Sequence, residues 1–221
     1  MALELYQKAI AANPTAKQVN TVLLQMGMIA ELNLKKKELA ELYYEEGLKK
    51  KESTPERVEI LKRLSNLYLE ENKNPEKALP HLSELINYQP AIEDRDLLFF
   101  KRAKAKISLN KMDEARNDLE SLLRVYPTSA FAASADLVRA ETYFFEGKHQ
   151  VAEQELLGVA NRHPHQEQAQ EAEFLRAQCL ESDQKYKEAL KVYEGLKGKY
   201  PNPQVLQERM KALRKRIQKS K

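Results

Sequence analysis

One frame of residues recurs along this chain at a nearly constant step, and it limits the fold more than any other feature. In Met112 to Pro127, MDEARNDLESLLRVYP, the frame is Ala115, Leu119, Leu122 and Pro127, at offsets 0, +4, +7 and +12. It stands 37 residues earlier as Ala78, Leu82, Leu85 and Pro90, and 37 later as Ala152, Leu156, Val159 and Pro164. A further copy is Ala189, Tyr193, Leu196 and Pro201. A period of this size marks a repeat architecture and overrides any domain count drawn from the length of 221 residues. Ala followed by apolar residues at +4 and +7 lies on one face of an α-helix, where its small side chain lets a second helix come close. The Pro ends that helix, because it lacks an N–H and biases the preceding residue away from helix.

The frame weakens towards the start. Ala2, Tyr6, Ala9 and Pro14 match it, so residues 2 to 12 read as a second helix without its first. Ala40, Tyr44 and Gly47 match as well, with Glu52 in the Pro slot. The steps from Ala2 to Ala40 and from Ala40 to Ala78 are 38 residues, one longer than the later steps. The extra residue is expected in the turn within each unit, near Asn33 and near Lys73-Asn74-Pro75. Between the frames lie partner helices with buried spacing at i, i+3, i+4 and i+7. These are Leu23, Met26, Gly27, Ala30; Leu61, Leu64, Ser65, Tyr68; and Phe99, Arg102, Ala103, Lys106. The last two are Asp136, Arg139, Ala140, Tyr143 and Glu173, Arg176, Ala177, Leu180.

The pattern resembles the tetratricopeptide repeat, which runs W-x2-L-G-x2-Y, then A-x3-F, then P. The large aromatic of the first helix appears here only as Phe99, and Leu-Gly becomes Arg-Ala in the last three units. The resemblance implies an all-α fold, a right-handed α-α superhelix of about twelve antiparallel helices ending in a capping helix. It divides one solenoid into a half repeat at 2–13, repeats at 14–51, 55–90, 94–127, 129–164 and 166–201, and a capping helix with basic tail at 203–221. Leu206, Met210, Leu213 and Ile217 give the capping helix its single apolar stripe. YPTSAFAASADL and KYPNPQVLQERMKALRKR are similar to bacterial cell-envelope members such as Tol-Pal coordinators and outer-membrane assembly lipoproteins. That similarity implies a bacterial origin and a periplasmic or envelope-associated place, with the cytoplasm as the alternative.

No run approaches 18 apolar residues, so no membrane span is expected. MALELYQKAIAANP has no basic start, apolar core or cleavage site of a signal peptide. The net charge of +4 is a property of the tail: Arg209 to Lys221 carries seven Lys and Arg and no acid, and the rest of the chain stands at −3.

Catalysis is not expected. His163 and His149 fall in slots filled elsewhere by Tyr126, Tyr200, Met112 and Tyr186, so they read as packing residues rather than metal ligands. The single Cys179 stands where Ala105 and Thr142 stand, as a small packing residue. There is no Gly-rich phosphate loop and no Ser/His/Asp order, and no cofactor or small-molecule substrate is expected. Arg102, Arg139 and Arg176 recur in one register, and are read as packed stems with guanidinium groups meeting neighbouring carboxylates.

The candidate site is the wall that the first helices line, the surface solenoids use for partners. One part is basic, with Glu59, Lys62, Arg63, Asn66, Phe100, Lys101 and Lys104. The next is apolar, with Leu137, Val138, Glu141, Phe144, Phe145, Phe174, Leu175 and Gln178. This pattern suits a protein partner, as a peptide or helix with acidic and hydrophobic anchors. Family members that bind chaperone tails clamp a carboxylate with Lys and Asn. Lys62 and Asn66 match that pair, but Lys101, Ser134 and Val138 miss the remaining clamp, so that function is not carried over. The alternative is an anionic partner, nucleic acid or membrane surface, held by the basic tail. A nucleic-acid groove should be continuously basic, whereas this wall carries Glu59, Glu141, Glu171 and Glu181. A third reading is self-association through the open half repeat around Leu5 and Ala9.

Overall fold

The computed structural model describes residues 2–13, 18–49, 53–71 and 73–219, and every regular element among them is helical. The fold class is all-α, as expected, with twelve α-helices among the described residues. Met1, Pro14, Glu52 and the last two residues of the tail lie outside them, as does the side chain of Ala2. Two compact units divide the chain, Met1–Lys111 and Met112–Lys221.

The first unit contains α1 (Ala2–Ala12), α2 (Val19–Met28), α3 (Lys37–Leu48), α4 (Pro55–Asn66), α5 (Pro75–Asn87) and α6 (Arg95–Ser108). Thr54 and Asn74 each stand just before a Pro and accept a hydrogen bond from the backbone N–H three residues on, at 3.2 Å in both cases. The cap satisfies one free N–H of the first turn, and Pro at the first helical position sacrifices none. Successive helices pack on one another, and α2 also packs on α4. The frame residues Ala40, Tyr44, Ala78, Leu82 and Leu85 are fully buried. Gly27 explains how α2 and α3 approach: a Cβ there would lie 2.2 Å from the Tyr44 ring.

The second unit contains α7 (Met112–Val125), α8 (Ala132–Phe145), α9 (His149–Arg162), α10 (Glu167–Ser182), α11 (Tyr186–Gly195) and α12 (Pro203–Lys219). Its frame residues Ala115, Leu119, Leu122, Ala152, Leu156, Val159, Ala189 and Tyr193 are likewise fully buried. Leu206, Met210 and Leu213 carry the packing of α12, with Ile217 half-buried below them. Helices α7 and α9 end one residue short of Tyr126-Pro127 and His163-Pro164, as the frame requires. Helix α11 ends earlier, at Gly195, well before Pro201. Gly198 takes a φ of +72°, a left-handed conformation open to glycine, and turns the chain there.

The extra residue of the 38-residue steps is visible in the hydrogen bonds that close each first helix. Lys111, Lys148 and Lys185 donate their backbone N–H to Lys106, Tyr143 and Leu180, five residues back, each at 2.9 Å. Lys36 and Asn74 donate instead to Ala30 and Tyr68, six residues back, at 2.8 and 2.7 Å. A wide π turn takes up the difference, at Ile29–Asn33 and Leu67–Glu71. In all five the residue before the donor is left-handed: Lys35, Lys73, Asn110, Gly147 and Gln184. The insertion therefore widens the last helical turn rather than lengthening a loop.

Candidate functional site

In the first unit, the basic wall is held by its own acceptors. Arg63 donates from Nε to Glu59 at 2.7 Å and from Nη1 to Glu31 at 3.2 Å. Tyr44 donates its hydroxyl to the same Glu31 carboxylate at 2.6 Å, and burial together with that carboxylate pushes the phenol well above its ordinary range. Lys101 donates to the Asn66 side-chain oxygen at 2.6 Å. Lys104 is exposed, its ammonium 5.9 Å from the centre of the Phe100 ring. Lys62 is half-buried on the same helix as Arg63.

In the second unit, the expected apolar wall divides into surface and core. Phe145 is 59% exposed. Phe144, half-buried, meets Phe145 edge-on at 6.1 Å and His149 edge-on at 5.6 Å. Val138 and Glu141 are half-buried beside them on α8. Leu137 and Phe174 do not reach the surface: they are 8% and 6% exposed. The Phe174 ring stacks on Tyr200 at 4.5 Å, and Leu137 belongs to the cluster of Ala140, Ala152 and Leu156. Their contribution to any wall is support from below.

The recurrent arginines meet different partners. Arg102 donates to the Ser83 hydroxyl at 3.1 Å and lies 5.7 Å from the Phe99 ring centre. Arg139 reaches Glu155 at 2.7 Å, Asp136 at 3.2 Å and Glu120 at 4.0 Å. Arg176 donates to Glu173, three residues back on its own helix, at 2.7 and 3.0 Å. Asp136 is the centre of a buried network, for Arg162 donates to both its oxygens at 2.7 and 3.0 Å, and His163 Nε2 lies 3.2 Å away. Burial raises the Asp136 carboxyl, but Arg162 and Arg139 outweigh it and hold the group below its ordinary value. Cys179 is fully buried, and burial pushes its thiol up to about 12, which suits a packing residue and not a nucleophile.

The cations of α12 are partly engaged. Arg214 donates to Glu194 at 2.9 Å, Arg209 lies 4.0 Å from Glu181, and Arg216 covers the Tyr186 ring at 5.6 Å. No helix among the described residues is long and apolar enough to cross a membrane. A groove of about 630 Å³ lies between α9, α10 and α11, bordered by Arg176, Lys191, Val192, Leu196 and Lys199. Sequence reading missed it. The signal was present in the register, because Val192 stands where the preceding repeat has Glu155.

Residues 98–129 and 137–202 match family models described as tetratricopeptide repeat. No curated protein matches the sequence. Among solved structures the chain is similar to MamA, at 18% identity and a TM-score of 0.62, over 85% of this chain and 98% of that one. It is similar to PilW, described as a widely conserved type IV pilus biogenesis factor, at 14% identity and a TM-score of 0.61, over 92% and 86% of the two chains. YrrB, described as a TPR protein with an unusual peptide-binding site, is 15% identical with a TM-score of 0.58, over 86% and 89%.

Proposed function

We propose that this chain, whose residues 98–129 and 137–202 match tetratricopeptide-repeat models, is a non-catalytic protein-interaction scaffold that holds a peptide or helix of a partner protein on the wall its first helices line within each unit. The observation that carries this reading is Phe145, a large aromatic 59% exposed on that wall and braced edge-on by Phe144. Exposed aromatics on a rigid helix are the usual anchors of binding energy. The proposed contacts are Phe145, Phe144, Val138 and Glu141 in one unit, and Lys62, Arg63, Asn66, Phe100, Lys101 and Lys104 in the other. Leu137 and Phe174 hold the apolar part from beneath. The segments given above, from the half repeat at 2–13 to the tail at 203–221, are the proposed repeat boundaries. The proposed setting is a bacterial envelope or motility complex, supported by the two envelope-like sequence segments and by the likeness to a pilus biogenesis factor.

The test is a titration of a partner captured on the full chain. Phe145→Ala should raise the dissociation rate, at a cost of about 1–3 kcal/mol. Charge reversal of Lys62 and Lys104 should slow association and flatten its salt dependence. Loss confined to deletion of residues 215–221 would transfer the site to the tail.

A further inference from the structure

The repeats of the second unit superimpose in sequence at a step of 37, so each polar group has a counterpart whose surroundings can be compared. Arg139 meets carboxylates from three helices, Asp136 on α8, Glu155 on α9 and, at 4.0 Å, Glu120 on α7, while its buried Nε has no hydrogen-bond partner. Its counterpart is Arg176. There Glu155 is replaced by Val192 and Glu120 by Leu157, so both carboxylates on the flanking helices are gone. Glu173, in the place of Asp136, is the one carboxylate Arg176 meets among the described residues. The change extends to the mouth of the groove. Arg162 closes the first arrangement by gripping Asp136, whereas its counterpart Lys199 is exposed.

Val192 lines a groove of about 630 Å³ between α9, α10 and α11. Arg176, its side chain 19% exposed, stands in its wall. Lys191 and Lys199, both exposed, line it together with the carboxylates Glu173 and Glu188, and Val192 and Leu196 give it apolar sides. The early end of α11 and the absence of a side chain at Gly195 keep it open: a Cβ there would have nothing within 4 Å. A cationic group whose counterpart binds carboxylates, set in a cleft with apolar sides, is complementary to one kind of occupant.

We propose that this groove is a second binding site, taking an acidic side chain flanked by apolar residues from a partner protein segment. The incoming carboxylate takes the place that Glu155 and Glu120 occupy at Arg139. The site is independent of the wall that carries Phe145.

The experiment uses the full chain and two labelled, acetylated heptapeptides, one with a central glutamate between leucines and one with glutamine in its place. Fluorescence anisotropy should show saturable binding of the glutamate peptide, and binding of the glutamine peptide weaker by roughly ten- to hundredfold. Val192→Glu restores the internal acceptor found in the preceding repeat, which folds with glutamate there. It should weaken glutamate-peptide binding by at least about tenfold with an unchanged circular dichroism spectrum. Phe145→Ala should leave that affinity unchanged. Equal binding of the two peptides, no saturable binding up to millimolar concentration, or indifference to Val192→Glu would overturn the proposal. Loss with Phe145→Ala and not with Val192→Glu would also overturn it, and would assign the peptide to the wall.

Discussion

The two units fill one frame by different means. The core of the first is a continuous cluster from Leu23 to Leu98, rich in large side chains such as Tyr44, Ile60, Leu64 and Tyr68. The first helices of the second are rich in alanine (Ala132, Ala133, Ala135, Ala169, Ala172), and two separate clusters, one around Leu156 and one around Tyr193, form in it. The second unit also buries Asp136 on α8 and Arg116 on α7. Arg116 is held by Asp113, by Glu146 and Thr142 at 2.8 and 2.9 Å, and by the face of Tyr143 at 4.4 Å. Large side chains make such a core sensitive to volume, although Tyr44 and Tyr68 also donate their hydroxyls to carboxylates and Arg57 is buried against Glu84 at 2.6 Å. Ion networks depend on every member being present and ionised. One repeat pattern thus supports a core filled by large side chains and another that combines small residues with buried ion networks.

The largest expected effect lies in the first unit. Gly27→Ala puts a methyl group into the Tyr44 ring, which is fully buried and has nowhere to move. The cost should be at least about 3 kcal/mol, at the upper end for overpacked cores. Hydrogen exchange should locate the loss in α2 and α3. Adding Tyr44→Leu should recover a good part of it, because Ala140 lies at the equivalent position in a repeat whose frame residue is Leu156. Failure of that rescue would mean that the approach of α2 and α3 is not what the glycine serves.

The second unit should respond to charge. Asp136→Asn removes the negative charge and one of the two acceptor oxygens that Arg139 and Arg162 share, at a cost of about 1–3 kcal/mol near neutral pH. Asp136 in the folded chain stays ionised to lower pH than in the unfolded chain. Its stabilisation is therefore complete above the unfolded value of about 4 and is lost as pH falls through the folded value. Wild type and Asp136→Asn should converge in that acid window, read as denaturant midpoints against pH. A constant gap down to the lowest folded pH would show that the carboxylate's charge contributes nothing.

The frame was legible because it reports helix geometry. A side chain at +4 or +7 from a small residue must face the partner helix, whatever that partner is. The position of the inserted residue was legible too, since the step changes length where the closing bond changes from five to six residues. The wall was less so. Leu137 and Phe174 occupy the same kind of register position as Phe145, yet Tyr200 covers Phe174, and no period states how far a neighbouring turn reaches across a helix. Arg176 shows the converse: its own sequence context matches that of Arg102 and Arg139, and its difference lies in residues 157 and 192, on other helices.

The smallest effect tests whether the second unit is as open as its alanines and its groove imply. Gly158 and Gly195 occupy the same slot 37 residues apart. A Cβ at Gly158 would lie 2.9 Å from the Arg162 guanidinium, which must hold its place to grip Asp136. A Cβ at Gly195 meets nothing within 4 Å. Alanine is preferred to glycine in helix by roughly 0.5–1 kcal/mol, because glycine loses more backbone freedom on folding. Gly195→Ala should therefore raise stability by about 0.5 kcal/mol, the lower figure reflecting its place at the end of α11. Gly158→Ala should gain less, since whatever the backbone gains is offset where Arg162 is displaced. Gly27→Ala in the first unit and Gly195→Ala in the second then shift the midpoint in opposite directions for the same added methyl group. A loss at Gly195 would mean that the last turn of α11 is packed and the groove beside it closed.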